Sequence, residues 1–441
     1  MDSVRAKVIG AGLAGCEAAW QLAERGIPVT LIDMKPDRLS PAHKIGTYCE
    51  LVCSNSLRSD NIENAVGLLK EELRRMRSLI MECAEASRVP AGGALAVDRT
   101  VFSQLVTERI KAHPLIDTVT CEIEEIPNGP CVVATGPLTD GAMLESIEKA
   151  VGASLHFHDA AAPIVTKESL DLDKVFESSR YEKGSGSDYL NCPLDAEKYF
   201  RFVRELVSAE TAPLHGFETP RVFEGCMPVE IMAKRGEMTL AYGPMKPVGL
   251  IDPRTGKQPF AVVQLRQDNE AGTLYNIVGF QTNLRFPEQR RVFGLIPGLE
   301  NAEYVRYGVM HRNSYMDSPG KLSPVYELKT RDGLFFAGQI TGVEGYVESA
   351  SSGFTAGVNL ARRLMGKPLI DFGSDTAIGS LGHYVSEYNG SDFQPMNVTF
   401  GIIDPIPNAP RNKRARYAAI AERALNRIDE LCKEGLFDGR V

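Results

Sequence analysis

Ala6-Lys7-Val8-Ile9-Gly10-Ala11-Gly12-Leu13-Ala14-Gly15-Cys16-Glu17-Ala18-Ala19-Trp20-Gln21-Leu22-Ala23 is a short apolar strand, a G-x-G-x-x-G turn and a run of good helix formers. Gly10 permits the tight turn, Gly12 lets the backbone approach a pyrophosphate, and Gly15 lets the helix pack closely on the strand. Ala11, Leu13 and Ala14 complete the turn, and the helix N-terminus offers free N–H groups and a positive dipole to phosphate. Working outward, Gly26 ends the helical run, and a second apolar strand, Val29 to Ile32, ends in Asp33. Asp33 lies 18 residues beyond Gly15, close to the spacing of about 20 at which an acid accepts from a ribose hydroxyl. A carboxylate there repels a 2′-phosphate, so the site suits FAD or NAD better than NADP. The fold class is α/β with a Rossmann-type dinucleotide-binding domain.

Two later segments favour FAD. Pro130-Cys131-Val132-Val133-Ala134-Thr135-Gly136 is an apolar strand ending in Thr135 and Gly136, of the kind that returns to the nucleotide domain in flavoproteins. Asp332 to Gly338 reads as a strand reaching a glycine, and Ser349-Ala350-Ser351-Ser352-Gly353-Phe354-Thr355-Ala356-Gly357 as the start of a helix. A helix N-terminus there would face the flavin ring and stabilise negative charge on it. No second G-x-G-x-x-G occurs. A nicotinamide reductant, NADH or NADPH, is therefore expected to dock transiently against the flavin and leave before the second substrate binds.

At 441 residues and roughly 150 residues per domain, two or three domains are expected. Residues 1–159 read as the first part of the FAD-binding domain and 160–288 as an inserted α+β domain. Residues 289–375 read as the second part of the FAD domain, and 376–441 as a C-terminal segment with a terminal helix. The insert carries short β-rich runs at Ile164–Val165, Leu240–Tyr242, Ala261–Leu265 and Asn276–Gln281, and one helical pattern from Asp195 to Ala209. Further helical patterns span Asn64 to Ala86, Arg99 to Ala112 and Ala409 to Glu434.

The first residues lack a signal peptide's long apolar stretch and small-residue cleavage site, and no apolar run approaches the roughly 20 residues of a membrane span. The expectation is a cytoplasmic protein without a membrane partner. Nine cysteines without a Cys-x-x-Cys pair argue against a disulfide framework and against a zinc or other metal site. A net charge of −8 leaves RNA binding to local basic patches. Two are candidates: Arg411, Lys413, Arg414 and Arg416 at the start of the terminal helix, and Arg74, Arg75 and Arg77. Each can meet phosphates or be an ordinary solvated face.

Several segments are too unusual for a generic flavoprotein: Glu50-Leu51-Val52-Cys53-Ser54-Asn55-Ser56-Leu57-Arg58, Val89 to Arg99, Phe223-Glu224-Gly225-Cys226-Met227-Pro228, Tyr242 to Gly249, Gly308-Val309-Met310-His311-Arg312-Asn313, and Gly342 to Ser349. Together they resemble the TrmFO family, folate- and FAD-dependent tRNA (uracil-5-)-methyltransferases, from residue 8 to about residue 410. Ala14 to Ala19 also resembles the related GidA (MnmG) family, whose chains are longer and end in a large helical domain.

The resemblance implies methylation of C5 of the T-loop uridine of tRNA, with methylenetetrahydrofolate as carbon donor and reduced FAD as reductant. Uracil C5 is a poor nucleophile until a thiolate adds at C6, and a second group must then take the C5 proton. The resemblance carries these roles onto Cys53, as nucleophile, and Cys226, as proton-handling partner, although the two are interchangeable on sequence alone. It extends the flavin contacts to Gly338, Gln339, Glu344, Gly345, Tyr346, Ser352 and Gly353. It makes His311 and Tyr346 neighbours of the folate pterin, and offers Lys246 or Arg312 to the folate carboxylates. The residues by themselves leave room for wobble-uridine modification, for ribosomal RNA methylation and for a small-molecule flavin oxidoreductase. They do not give the oligomeric state.

Overall fold

In a computed structural model that describes residues 4–152, 154–182, 186–213, 227–391 and 393–436, the glycine-rich turn sits at the carboxyl end of the central strand of a five-stranded parallel sheet. The order across the sheet is Leu334–Phe336, Cys131–Val133, Ala6–Ile9, Val29–Asp33, Ile116–Thr120. Parallel strands covered on both faces read as unbroken apolar runs; Val8, Val132 and Phe335 are fully buried. From Ala6–Ile9 the chain goes to one neighbour directly and reaches the other much later. That reversal opens a crevice beyond the strand ends, where α/β sheets bind ligands.

The first helix, Leu13–Ala23, lies against a 19-residue helix, Tyr346–Leu364. Small residues allow the close approach. A Cβ on Gly353 would stand 2.7 Å from the Ala14 Cα, and one on Gly357 2.8 Å from the Ala18 Cα. Asn64 to Ala86, expected as one helical stretch, is two helices, Ala65–Arg75 and Leu79–Ala86. Arg77 breaks them with φ +59°, and Ser78 caps the second by accepting from the Met81 N–H.

The insert is a six-stranded sheet in the order Phe176–Glu177, Tyr189–Leu194, Ala261–Gln267, Leu274–Ile277, Ile164–Thr166, Tyr304–Arg306, with every pair antiparallel. Helices Ala196–Ser208 and Phe286–Phe293 close its core around Tyr199, Phe202, Phe280 and Phe293. Two readings change. The insert does not end at residue 288, because Tyr304–Arg306 still pairs with Ile164–Thr166. Leu240–Tyr242 belongs to a helical turn, Thr239–Tyr242, since three apolar residues are too few to separate strand from helix. An antiparallel ribbon, Ser154–Ala160 with Met310–Met316, joins the insert to the parallel-sheet domain. Among the described residues no helix is long and apolar enough to cross a membrane.

Candidate functional site

Beyond the glycine-rich turn lies a cavity of about 220 Å³, lined by Gly10, Gly12, Leu13, Ala14, Asp33, Thr135, Gly136 and Gly338 among others. Its donor set suits a dinucleotide. The Leu13–Ala23 helix starts at Gly12 with no side-chain cap, so its first N–H groups are left for a ligand. A Cβ at Gly12 would meet nothing within 4 Å, which leaves an open cradle directly over the backbone. The Asp33 carboxylate is fixed by the N–H groups of Ala11 (2.5 Å) and Lys35 (2.8 Å), with lone pairs remaining for a ribose hydroxyl. Ala11 thus acts through its N–H group without lining the cavity. Gly15 also stays behind the wall, where a Cβ would run into the Gly10 carbonyl.

Ser352 and Gly353 do not reach the cavity either. The Gly338 N–H donates to Ser352 Oγ at 2.7 Å, so Ser352 positions Gly338, and Gly353 is the close contact with Ala14. Their placement as cofactor contacts gives way to these supporting roles. Gly353 faces the neighbouring helix, and Ser352 Oγ donates in turn to the Ser349 carbonyl at 2.7 Å.

A second cavity, of about 290 Å³, shares Val52, Pro137, Leu138, Gln339 and Tyr346 with the first. Cys53, Glu344 and Gly345 line it. Tyr346 is the hinge of the arrangement. Its Oη accepts from the N–H groups of Cys53 (2.8 Å) and Ser54 (3.3 Å) and lies 3.0 Å from Cys53 Sγ. With both lone pairs engaged, the phenol proton is directed at the sulfur. Burial, with the Cys53 sulfur beside it, pushes the phenol well up, so it remains a donor at neutral pH. Gln339 Nε2 donates to the Glu344 carboxylate at 2.8 Å, fixing the wall common to both cavities.

Three guanidinium groups surround the Glu50–Asn55 loop. Arg99 donates to the Leu51 carbonyl (2.9 Å) and pairs with Asp268 (3.0 Å). Arg266 donates to Asn55 Oδ1 (3.1 Å) and Ser54 Oγ (2.8 Å). Arg306 is buried, donates to the Ala42 carbonyl at 3.4 Å and leaves its Nε without a partner. Burial lowers both Arg266 and Arg306 from their ordinary range, yet guanidinium remains charged at any physiological pH. Sequence reading assigned none of the three a site role: Arg266 and Arg306 belong to no motif, and Arg99, although it closes the Val89–Arg99 segment, comes from an element distant in sequence from the loop.

Arg58, with φ +64°, pairs with the buried Glu348 at 2.6 Å on the wall of this second cavity. Its strand, Ser56–Ser59, is held from beneath by Lys70, whose Nζ donates to the carbonyls of Leu57 (2.8 Å) and Ser59 (2.6 Å). Burial pushes the Lys70 ammonium down to about 7, against the pull of Asp60. Between pH 7 and 10.5 the unfolded chain keeps a proton that the folded chain has released, so this group makes stability rise with pH across that window. Lys70→Met should erase that rise, worth about 1.4 kcal/mol for each pH unit spanned. The check is the wild-type-minus-variant unfolding free energy at pH 7 and pH 10; a difference independent of pH rejects the assignment.

Lys246 is exposed on a loop of the insert and lines neither cavity, so the structure does not bring it to the cleft. His311 and Arg312 sit on the ribbon opposite Asp159 and His158; their side chains, like Cys226, lie outside the described residues. In the Arg74 and Arg75 cluster, Arg74 pairs with Asp60 (2.5 Å) and Glu85 (2.6 Å), and Arg75 with Asp429 (2.7 Å). These two serve the fold. Among the described residues no group of three His, Cys, Asp or Glu side chains could hold a metal ion.

The family described as "Glucose inhibited division protein A" matches residues 5–368. An Acetivibrio thermocellus protein named methylenetetrahydrofolate–tRNA-(uracil-5-)-methyltransferase TrmFO is 60% identical over 425 residues, covering 96% of this chain and 97% of that one. The chain belongs to the TrmFO family. TrmFO proteins of Listeria welshimeri and Halalkalibacterium halodurans are 56% and 55% identical, across 97% and 98% of this chain and 98% and 100% of theirs. Two crystal forms of Aquifex aeolicus GidA superpose with TM-scores of 0.70 and 0.71 at 16% and 17% identity. They cover 99% of this chain but 74% and 76% of GidA, so TrmFO and GidA share this fold and GidA extends beyond it.

Proposed function

We propose that this chain methylates C5 of the T-loop uridine at position 54 of tRNA. Methylenetetrahydrofolate is the carbon donor and FAD, reduced by NADH or NADPH, the reductant. The observation that carries the reading is the half-buried Cys53 in a cleft continuous with the dinucleotide groove.

Bound in that groove, reduced FAD supplies the two electrons that turn the donated methylene into a methyl group. The chain's own residues do the rest. A sulfur adds to pyrimidine C6 as an anion, and cations beside it favour that form; Arg306 supplies charge here, and the Tyr346 hydroxyl supplies a hydrogen bond. Addition of Cys53 Sγ to C6 pushes electrons to C5, which then bonds the methylene carbon. Removal of the C5 proton, assigned to Cys226, expels the folate nitrogen from the methylene carbon and leaves an exocyclic methylene. Once two electrons and a proton have made that carbon a methyl, the electron pair released toward C5 restores the C5–C6 double bond and expels the Cys53 sulfur. The target base must leave its stack to reach a cleft of this depth.

The test uses unmodified transcribed tRNA and folate labelled in its one-carbon unit. Label should appear in T-loop 5-methyluridine; label at the wobble base, or none, rejects the proposal. Tyr346→Phe, which removes the hydroxyl at the sulfur, should retain FAD and lower single-turnover methylation about 10- to 100-fold, the scale of one hydrogen bond to a charged group. An unchanged rate would separate the phenol from the sulfur chemistry.

A further inference from the structure

The edge of the inserted sheet carries a column of three aromatic rings that the chemistry above does not use. Phe286 stacks on Tyr307 with centroids 4.4 Å apart and planes at 17°, and Tyr307 stacks on Tyr304 at 4.9 Å and 6°. A register shift between Tyr304 and Arg306 lets two tyrosines three residues apart join one stack. The column is stiff: Gln289 Nε2 donates to the carbonyls of Leu284 (2.7 Å) and Gly308 (2.8 Å), and its Oε1 accepts from the Gly308 N–H (2.9 Å). This clamps the helix bearing Phe286 to the segment bearing Tyr307.

One end of the column is open. Phe286 remains 49% exposed although one face is covered by Tyr307. Beside it, the Arg290 guanidinium lies 5.3 Å from the Tyr307 ring centre. Its neighbours Arg285 and Arg291 pair with Glu210 and Glu205, whereas Arg290 is exposed and has no carboxylate partner among the described residues. A flat ring with an unspent cation at its side matches a nucleotide, with base on ring and phosphate on guanidinium.

We propose that Phe286 is a stacking platform for an unpaired base of the RNA substrate, with Arg290 meeting the neighbouring phosphate. The inference rests on the RNA-substrate reading and says where the RNA outside the cleft is held. Base stacking on an aromatic ring is sequence-tolerant, so the platform positions the RNA and leaves selection of the uridine to the cleft.

Steady-state methylation of transcribed tRNA by Phe286→Ala, Phe286→Leu and Phe286→Trp tests it. Phe286→Ala and Phe286→Leu should raise KM for tRNA about tenfold, within the range for one stacked base, with kcat, KM for methylenetetrahydrofolate and flavin absorbance unchanged. Phe286→Trp should keep the wild-type KM, and its introduced indole should be quenched by tRNA; Trp20 is the chain's single native tryptophan. Wild-type KM in Phe286→Ala, or full recovery in Phe286→Leu, overturns the platform, the latter because apolar bulk alone would then suffice. If wild-type enzyme methylates no tRNA, the functional reading fails instead, and quenching of the indole by tRNA still reports on the platform.

Discussion

Cys53→Ala should reduce tRNA methylation by at least ~10³-fold, as expected when covalent catalysis loses its nucleophile. FAD binding and flavin reduction by NADH or NADPH should be unaffected. The separation follows from placement. Cys53 lines the second cavity and not the dinucleotide groove, and its hydrogen-bond partner there is Tyr346 Oη. The variant should also lose covalent trapping by RNA containing 5-fluorouracil. Trapping that survives in Cys53→Ala would move the nucleophile to Cys226 while leaving the overall reaction in place.

Gly353→Val should cost about 3 kcal/mol or more in stability and abolish FAD binding, because two packed helices must separate to admit the side chain. A Cβ at Gly353 would already stand 2.7 Å from the Ala14 Cα, and Ala14 lines the nucleotide groove. Gly12→Ala gives the contrasting result. Its Cβ meets no protein atom within 4 Å, so the apoprotein should unfold at the wild-type temperature while FAD affinity falls, the methyl occupying the pyrophosphate cradle. Thermal unfolding with and without FAD distinguishes the two. Equal apoprotein stability in wild type and Gly353→Val would show that the helices tolerate separation.

The dinucleotide groove was legible because its determinants are local. The turn from Gly10 to Gly15, Asp33 at the end of the next strand, and Thr135 and Gly136 each sit beside the periodic element that fixes them. Ser352 and Gly353 carried the right signal, small residues near a helix start, but a small residue serves backbone approach to a ligand and to another helix equally well. The cationic surround of Cys53 was invisible for a different reason. Arg99, Arg266 and Arg306 converge only through sheet pairing and long-range hydrogen bonds, and burial of an arginine cannot be read from its neighbours in sequence. The boundary at 288 failed because Tyr304–Arg306, a three-residue edge strand, is too short to announce itself.

The loop bearing Cys53 is held from two sides. Asn55 Nδ2 donates to the carbonyls of Val97 (3.1 Å), below it, and Gln267 (3.0 Å), in the inserted sheet, while Arg266 of that sheet grips Asn55 and Ser54. A tilt of the insert relative to the Rossmann core therefore drags the thiol with it. Under the proposed reaction, RNA bearing on the inserted sheet would therefore bear on the position of the Cys53 sulfur as well.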